Sequence, residues 1–297
     1  MRLALLMMAA LMAACGSSEE VADVAPSERA KAPLRVYTVS YPLAYFAERI
    51  GGAAVDVTFP APAEIDPASW RPGAETIEAY QKADLILLNG ATYAKWVERV
   101  SLPASTLVDT SESFQDDYII IEDAVVHSHG PEGEHSHGQT AVTTWLDPRQ
   151  AVTQARAIQG ALLAARPEQG TDFEEGLAAL EKDLEALDAR MEEALGSDAP
   201  FVASHPVYQY LARRYGLDLH AVDFDGDAWH DLEHLLEDHP AKVMLWKLDP
   251  PADTASRLRD MGLEIVIFDP CANRPAAGDY LSVMEENMAR LQSALSR

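Results

Sequence analysis

The chain has 297 residues, of which 48% are hydrophobic, and a formal net charge of −25 at pH 7. This length and apolar content are ample for one large hydrophobic core or two modest ones. So acidic a chain repels phosphate backbones, which excludes nucleic acid as a sensible partner, and it concentrates cations around itself; solubility or a saline habitat would explain the charge equally well.

The first 32 residues predict a lipoprotein signal followed by an acidic tether. Arg2 precedes an apolar run, Leu3–Met12, that is too short to span a bilayer, and small residues then lead to Cys15. In such a signal residues 1–14 are removed and Cys15 carries a lipid, while residues 15–32 act as the tether. No later segment is apolar over the length that a membrane helix needs. We therefore predict a lipid-anchored protein of the periplasm or cell surface.

Residues 33–166 alternate strand-like and helix-like patterns, which is typical of βαβ units. Strands are predicted at 35–39, 55–59, 85–88, 106–108 and 118–121, and helices at 41–50, 74–83 and 148–166. We predict from this alternation an N-terminal α/β lobe over residues 33–166.

A histidine-rich loop interrupts this lobe. Four of the nine histidines lie between residues 127 and 137, and they are His127, His129, His135 and His137. Imidazole is a good ligand for zinc, copper, iron and nickel, and the intervening Gly, Pro, Ser and Glu residues oppose a packed helix. We predict a solvated loop that captures a transition metal; a polar loop without a partner is the alternative.

Between Asp172 and Leu195 apolar residues recur at steps of four and three, with no glycine after Gly176 and no proline. This pattern predicts one amphipathic helix of about 36 Å, long enough to join two lobes. We assign residues 167–197 to this linking helix and expect a monomer. A coiled-coil dimer is the alternative, but barely three heptads are present.

Residues 198–297 repeat the alternation and predict a C-terminal α/β lobe. Strands are predicted at 201–204, 217–222, 243–246 and 264–268, and helices at 207–215, 231–237, 252–261 and 280–295. The predicted fold class is therefore α/β, with two lobes, each containing a mostly parallel sheet, joined by a single long helix.

Two side chains at strand ends of this lobe are candidate metal ligands. Ligands of open α/β sheets bind outside the carboxyl ends of strands, where His205 and Asp269 are expected. An imidazole and a carboxylate would supply half of a tetrahedral metal site. Only Cys271 remains after the lipidated cysteine, so no internal disulfide can form, and this thiol is either buried and inert or a further ligand.

A second histidine group consists of His220, His230, His234 and His239. His230 and His234 are four apart on a predicted helix, so they share a face and could chelate an ion together with Asp231 or Glu233. The metalloprotease motif is not matched, because Asp231 stands where its general base should be. A solvated helix face or a secondary zinc site remain the alternatives. With no nucleophile elbow or phosphate-binding glycine loop either, we predict that the chain is not an enzyme.

The order of segments resembles the solute-binding lipoproteins of bacterial zinc and manganese ABC importers, the metal-binding cluster A-I family, over nearly all of the mature chain. The motifs that carry the resemblance include Tyr41-Pro42-Leu43, Asp66-Pro67, Trp145-Leu146-Asp147-Pro148, Ala203-Ser204-His205 and Phe268-Asp269. The resemblance implies that a metal, zinc first and otherwise manganese, copper or another divalent ion, is held between the lobes and delivered to a membrane permease. A metal-buffering or adhesion lipoprotein without importer coupling is the alternative.

The resemblance also implies four ligand positions, of which two are altered here. They fall at Ala68, Thr143, His205 and Asp269, so that both positions in the N-terminal lobe lack a ligand. Three hypotheses follow. The histidines at 127–137 could complete the site; Glu64 or Asp66 could add oxygen and Cys271 sulfur; or the cleft no longer binds tightly and the loop alone binds metal.

Overall fold

The computed structural model describes residues 32–121, 139–196, 199–222, 224 and 228–296. The predicted signal with Cys15, nearly all of the tether and the four loop histidines lie outside the described residues. Pro33–Arg297 form one compact unit. None of the described helices combines the length and the apolar character that crossing a membrane requires.

The N-terminal part alternates strands and helices as predicted. Its elements are β1 (Leu34–Thr38), α1 (Tyr41–Gly51), β2 (Val55–Thr58), α2 (Ala74–Gln81), β3 (Leu85–Leu88), β4 (Leu107–Asp109), β5 (Ile120–Ile121), β6 (Gln139–Thr140) and α3 (Pro148–Ala165). Short 3-10 helices occupy the connections Gly52–Ala54, Val97–Arg99, Ala104–Thr106, Glu112–Asp117 and Thr144–Leu146. Asp147 caps α3 by accepting a hydrogen bond from the Arg149 N–H. Pro148 is suited to the first position of the helix, because a backbone N–H there would have no acceptor within the helix.

Four of these strands form a parallel sheet in the order β2-β1-β3-β4. Val36 of β1 is opposite Val57 of β2 and Leu85 of β3, which sets the register of the buried centre. The strand predicted at 118–121 does not join this sheet. The observed strand, β5, is only two residues long and pairs antiparallel with β6, with Ile120 opposite Thr140. The two strands form a small ladder at the two ends of the 122–138 segment.

The C-terminal part contains the second predicted sheet, also parallel, in the order β10-β9-β7-β8. Its elements are β7 (Phe201–Ala203), α5 (Gln209–Tyr215), β8 (Leu219–Ala221), α6 (Trp229–Asp238), β9 (Val243–Trp246), α7 (Ala252–Asp260), β10 (Glu264–Ile267) and α8 (Tyr280–Leu295). The fold-class prediction of two parallel α/β sheets is thus confirmed.

The long helix, α4, runs from Gly170 to Leu195 after a 3-10 turn at Pro167–Gln169. Its 26 residues span about 39 Å. Of the predicted apolar stripe, Leu177 is partly buried, and the other six residues are at most 1% exposed: Phe173, Leu180, Leu184, Leu187, Met191 and Leu195. The helix packs against α1 and α3 on the N-terminal side and against α5 and α8 on the C-terminal side. Because the stripe is covered within the chain, it offers no seam for the coiled-coil alternative.

One polar network ties α4 to both parts. Asp188 of α4 accepts hydrogen bonds from Arg214 at 2.6 and 2.9 Å and from the Tyr215 hydroxyl at 2.9 Å, both on the C-terminal side. Arg149 of α3 reaches the same carboxylate at 3.4 Å from the N-terminal side. Asp188 therefore connects three helices through one side chain.

The loop that follows β10 is attached to the N-terminal part by main-chain and side-chain hydrogen bonds. The buried Trp145 donates its indole N–H to the Pro270 carbonyl at 2.7 Å, and the Tyr280 hydroxyl donates to the Trp145 carbonyl at 2.7 Å. Asn273 donates to the carbonyls of Pro62 at 2.7 Å and Ile65 at 3.0 Å, in the loop after β2. These bonds place the strand-end loops of the two sheets against each other.

Candidate metal centre

Three side chains mark the carboxyl ends of neighbouring strands in the C-terminal sheet. His205 follows β7, Lys247 follows β9 and Asp269 follows β10. Because β9 lies between β7 and β10, the strand that carries the lysine separates those that carry the two expected ligands. Sequence reasoning identified His205 and Asp269 but missed Lys247, although applying the strand-end rule to β9 would have found it.

His205 is held in a fixed orientation. Its side chain is buried, and Nδ1 lies 2.8 Å from the Ser204 hydroxyl. The rings of His205 and Trp246 are nearly perpendicular, at 85°, with their centroids 6.2 Å apart. Ser204 is itself anchored, because its N–H donates to the Leu245 carbonyl of β9 at 2.9 Å. With Nδ1 engaged by the hydroxyl, a metal ion would bind this imidazole through Nε2.

Asp269 is fixed by its own loop and by α8. The Cys271 N–H donates to Oδ1 at 2.7 Å. Asn287 of α8 bonds the main chain on both sides, donating to the Asp269 carbonyl at 2.7 Å and accepting from its N–H at 3.0 Å. Burial raises the pKa of Asp269, while the Cys271 N–H and the charge of Arg290 oppose that rise. A cation at the second carboxylate oxygen would stabilise the charged form.

Cys271 lies beside this carboxylate but offers no accessible sulfur. Its side chain is fully buried, and its backbone has a φ of 56° in the left-handed region. Burial raises the pKa of the thiol well above its usual range, and the charges of Asp269 and Asp279 raise it further. Since a thiolate is the form that binds metal, this environment favours the inert interpretation of Cys271.

The two altered positions of the N-terminal part have other structural roles. Thr143 donates its hydroxyl to the Val207 carbonyl at 2.5 Å, and Val207 is two residues beyond His205. The Ala68 N–H donates to Asp66 Oδ1 at 3.0 Å in a local turn. Asp66 Oδ2 lies 4.0 Å from Lys247 Nζ, so the other oxygen of this proposed ligand faces an ammonium group. Glu64 is exposed on the same loop.

We call the facing strand-end loops of the two sheets, which carry Ala68, Thr143, His205 and Asp269, the cleft. Within the described residues the cleft does not assemble a complete ligand set. Only one group of three or more His, Cys, Asp or Glu side chains there lies close enough to hold one ion, and it is outside the cleft, at Asp218, His220 and His239. A cavity of about 540 Å³ lies beside Ala68, Trp70, Tyr93 and Trp96. Its lining contains no histidine or carboxylate, so its donor chemistry does not suit a bare metal ion.

The described residues on either side of positions 122–138 lie next to the segment that follows His205. The β5–β6 ladder is extended by the Ala141 N–H, which donates to the Ile119 carbonyl at 2.8 Å. The Tyr210 hydroxyl of α5 donates to the Ala141 carbonyl at 3.2 Å. Thr143, two residues further along, bonds to Val207. Ile119, whose N–H donates to the Tyr210 hydroxyl at 3.4 Å, and residues 141–143 are thus both tied to the part of the C-terminal lobe that follows β7.

Comparison with known proteins identifies the family. Residues 36–294 match the family model ZnuA, described as zinc-uptake complex component A, periplasmic. The chain belongs to the ZnuA family. Proteins of the ZnuA family are substrate-binding proteins and not enzymes, which agrees with the expectation that this chain has no catalytic role.

Individual relatives are similar but distant. The zinc-binding lipoprotein AdcA of Streptococcus pneumoniae serotype 4 is 24% identical over 284 residues, which cover 89% of this chain and 56% of AdcA. The high-affinity zinc uptake system protein ZnuA of Bacillus subtilis is 29% identical over 219 residues, which cover 70% of this chain and 65% of that protein. The chain therefore spans less than two thirds of the length of these two relatives.

Solved structures agree on the fold. The Zn(II)-bound ZnuA-like domain of Streptococcus pneumoniae AdcA superimposes with a TM-score of 0.74 at 21% identity, over 89% of this chain and all of that domain. A Mn2+ complex of the solute-binding protein FpvC from Pseudomonas aeruginosa gives 0.74 at 20% identity, over 89% and 98% of the two chains. The family model and the zinc-uptake relatives, together with this shared fold, confirm the predicted resemblance to cluster A-I metal-binding lipoproteins.

Proposed function

We propose that this protein captures a divalent transition metal, zinc first, in the cleft between its two sheets and delivers it to the membrane permease of an ABC importer. A lipid on Cys15 would anchor it to a membrane in the periplasm or at the cell surface. The metal is cargo and undergoes no chemistry. Manganese, copper or another divalent ion stays an alternative, since imidazole and carboxylate ligands accept several metals.

The first two ligands in this proposal come from the C-terminal sheet. His205 would bind through Nε2 while Ser204 holds Nδ1, and Asp269 would bind through Oδ2 while the Cys271 N–H holds Oδ1. Partners of this kind orient a metal ligand and raise its affinity. The two strand ends alone supply half of the four ligands that zinc usually takes.

The remaining ligands in this proposal are histidines of the loop, His127, His129, His135 and His137. Two hydrogen bonds support this part of the proposal, one between Thr143 and Val207 and the other between Tyr210 and Ala141. These bonds hold residues 141–143, which follow the loop in sequence, beside the segment that carries His205. Six extended residues reach about 20 Å, so the six-residue distance from His137 to Thr143 is compatible with entry into the cleft.

A competitive zinc titration of the mature chain, without its lipid, tests the proposal. The His205→Ala variant should lose at least about 100-fold in affinity at the tight site, since removing even an outer partner of a metal ligand costs about 10- to 100-fold. The control is His230→Ala, which removes an exposed histidine of α6. Unchanged affinity in His205→Ala, with the same stoichiometry, would refute metal binding at the end of β7.

Importer coupling needs a separate test in cells. Cells that lack this protein should take up less zinc under chelator-imposed limitation, and the wild-type gene should restore uptake while His205→Ala should not. Normal uptake in the deletion strain would contradict delivery to a permease, even if the titration confirms zinc binding.

The ion pair between Lys247 and Asp66 favours a second candidate, a metal-buffering or adhesion lipoprotein on the same scaffold. An ammonium group beside the cleft opposes a divalent ion, and the family positions at Ala68 and Thr143 carry no ligand. This candidate predicts weak binding that depends on the loop alone, persists in His205→Ala, and has no effect on zinc uptake.

A further inference from the structure

We propose that Asp218, His220 and His239 form a second binding site for a divalent transition metal, separate from the cleft. These three residues place one ligand atom each within 4.8 Å of the others. The site does not depend on the proposed function, because none of its residues belongs to the cleft.

The separations are close to those that a metal ion would impose. His239 Nδ1 lies 3.6 Å from Asp218 Oδ2, and His220 Nε2 lies 3.9 Å from Asp218 Oδ1. Ligands at zinc bond lengths in a tetrahedral site lie about 3.4 Å apart. Asp218 and His220 have more than half of their side chains exposed, so small rotations of both could close the remaining gap.

His239 is the most strongly held of the three ligands. Its side chain is 10% exposed, and Nε2 lies 2.9 Å from the carbonyl oxygen of Phe201, the first residue of β7. Donation from Nε2 to this carbonyl leaves Nδ1, the nitrogen that faces Asp218, as the acceptor. A metal-binding histidine typically donates its other ring N–H in this way, which fixes both the tautomer and the orientation of the ring.

Backbone pairing places the other two ligands beside it. The Phe201 N–H donates to the Asp218 carbonyl at 2.8 Å, and the Phe201 carbonyl accepts from His239. The main chain of Phe201 therefore holds both Asp218 and His239. Asp218 and His220 are two residues apart at the start of β8, and alternate residues of a strand face the same side. The rings of His220 and His239 lie with their centroids 4.5 Å apart.

The cluster lies at the opposite end of the sheet from the cleft. Asp218 precedes β8 and His239 precedes β9, whereas His205 and Asp269 follow their strands. Three residues of strand extend about 10 Å, so one ion cannot bridge the two places. Two imidazoles and a carboxylate suit zinc, copper or nickel better than calcium or magnesium, and water would complete the coordination at this exposed edge.

The test counts zinc ions on the full mature chain by equilibrium dialysis against micromolar free zinc. His220→Gln should bind one zinc fewer per chain than the wild type, and Asp218→Asn should do the same. The matched control is Asp260→Asn, an exposed carboxylate at the end of α7 outside the cluster, which should keep the wild-type number. Unchanged melting temperatures in the presence of a chelator would show that the variants fold normally.

A second measurement locates the ion. Crystals of the zinc-loaded chain should show an anomalous scattering peak at bonding distance from His239 Nδ1. The proposal is overturned if His220→Gln binds as many zinc ions as the wild type, or if the bound zinc gives peaks elsewhere and none beside His239.

Discussion

Lys247 Nζ lies 4.0 Å from Asp66 Oδ2 and thereby joins the end of β9 to the loop after β2. The lysine is about one quarter exposed, and its strand lies between those that carry His205 and Asp269. A positive charge at this point opposes a divalent cation, and the same contact occupies an oxygen that could otherwise serve as a ligand. In the proposed function we therefore expect the ion pair to lower the metal affinity of the cleft.

Replacing this lysine should strengthen metal binding. In Lys247→Gln we expect the zinc affinity of the tight site to rise about tenfold, which corresponds to about 1.4 kcal/mol, because a repulsive charge is removed and Asp66 is released. Lys182→Gln is the charge-matched control, since Lys182 is exposed on α4. Competitive titration measures both; equal or weaker binding by Lys247→Gln would mean that the ammonium group does not act on the ion.

The carboxylate of Asp188 should stabilise the protein in a manner that depends on pH. Burial by itself would raise the pKa of Asp188, but hydrogen bonds from Arg214 and Tyr215 outweigh it and hold the pKa below its ordinary value. The stabilisation is therefore complete above the ordinary value of about 3.9 and is lost as the pH falls through the lower, folded-state pKa.

The Asp188→Asn variant tests this dependence. At neutral pH we expect its free energy of unfolding to fall by about 2 kcal/mol, because Arg214 loses a charged partner. Toward about pH 3 the difference from the wild type should shrink as the wild-type carboxylate becomes protonated. Urea unfolding at several pH values measures this, with Glu185→Gln on the exposed side of α4 as control. A difference that stays constant with pH would mean that the charge of Asp188 does not provide the stabilisation.

Gly176 allows α4 to approach the end of α1 closely. A Cβ atom at this position would lie 2.5 Å from the carbonyl oxygen of Ile50 and 2.9 Å from that of Arg49. Gly176→Ala should therefore destabilise the protein by about 1–3 kcal/mol, although alanine is the better helix former.

Gly160 of α3 is the matched control, because nothing lies within 4 Å of a Cβ built there. Gly160→Ala should be neutral or stabilise by up to about 1 kcal/mol. Thermal or urea unfolding compares the two variants, and a Gly176→Ala protein as stable as the wild type would show that the helices separate without cost.

Cys271 should be unreactive in the folded protein. Because its side chain has no exposed surface, a thiol reagent should modify it on the order of 100-fold more slowly than in the unfolded chain, with or without zinc. Absorbance-based thiol titration of a mature chain that lacks Cys15 gives the rate. Rapid labelling that zinc suppresses would identify the sulfur as a ligand instead.

Most secondary structure could be predicted because it depends on local periodicity. Val243–Trp246 and Tyr280–Leu295 have the same bounds in the sequence prediction and the structure, and the buried stripe of α4 follows directly from its apolar spacing. The β5–β6 ladder could not be predicted, because two-residue strands show no alternation and their partners lie on either side of a long segment. Its pairing depends on tertiary contacts such as the one between Tyr210 and Ala141.

The candidate sites were only partly predictable for a related reason. The strand-end rule identifies His205 and Asp269, but a search for ligands alone overlooks Lys247, whose partner Asp66 is distant in sequence. Helical spacing pairs His230 with His234, and their rings do share a face, with centroids 4.3 Å apart. The contact of His239 with Asp218 depends on how α6 returns the chain to β9, which periodicity does not show.

In the proposed function the loop histidines complete a cleft site to which His205 and Asp269 contribute the first two ligands. The most direct test is a competitive zinc titration of the mature chain beside a variant in which His127, His129, His135 and His137 are all glutamine. A control with Glu132→Gln and Glu134→Gln changes the same loop but keeps its histidines. We expect the tight site to be lost in the histidine variant and kept in the control. A tight site of unchanged affinity in the histidine variant would mean that the loop supplies no ligand to it.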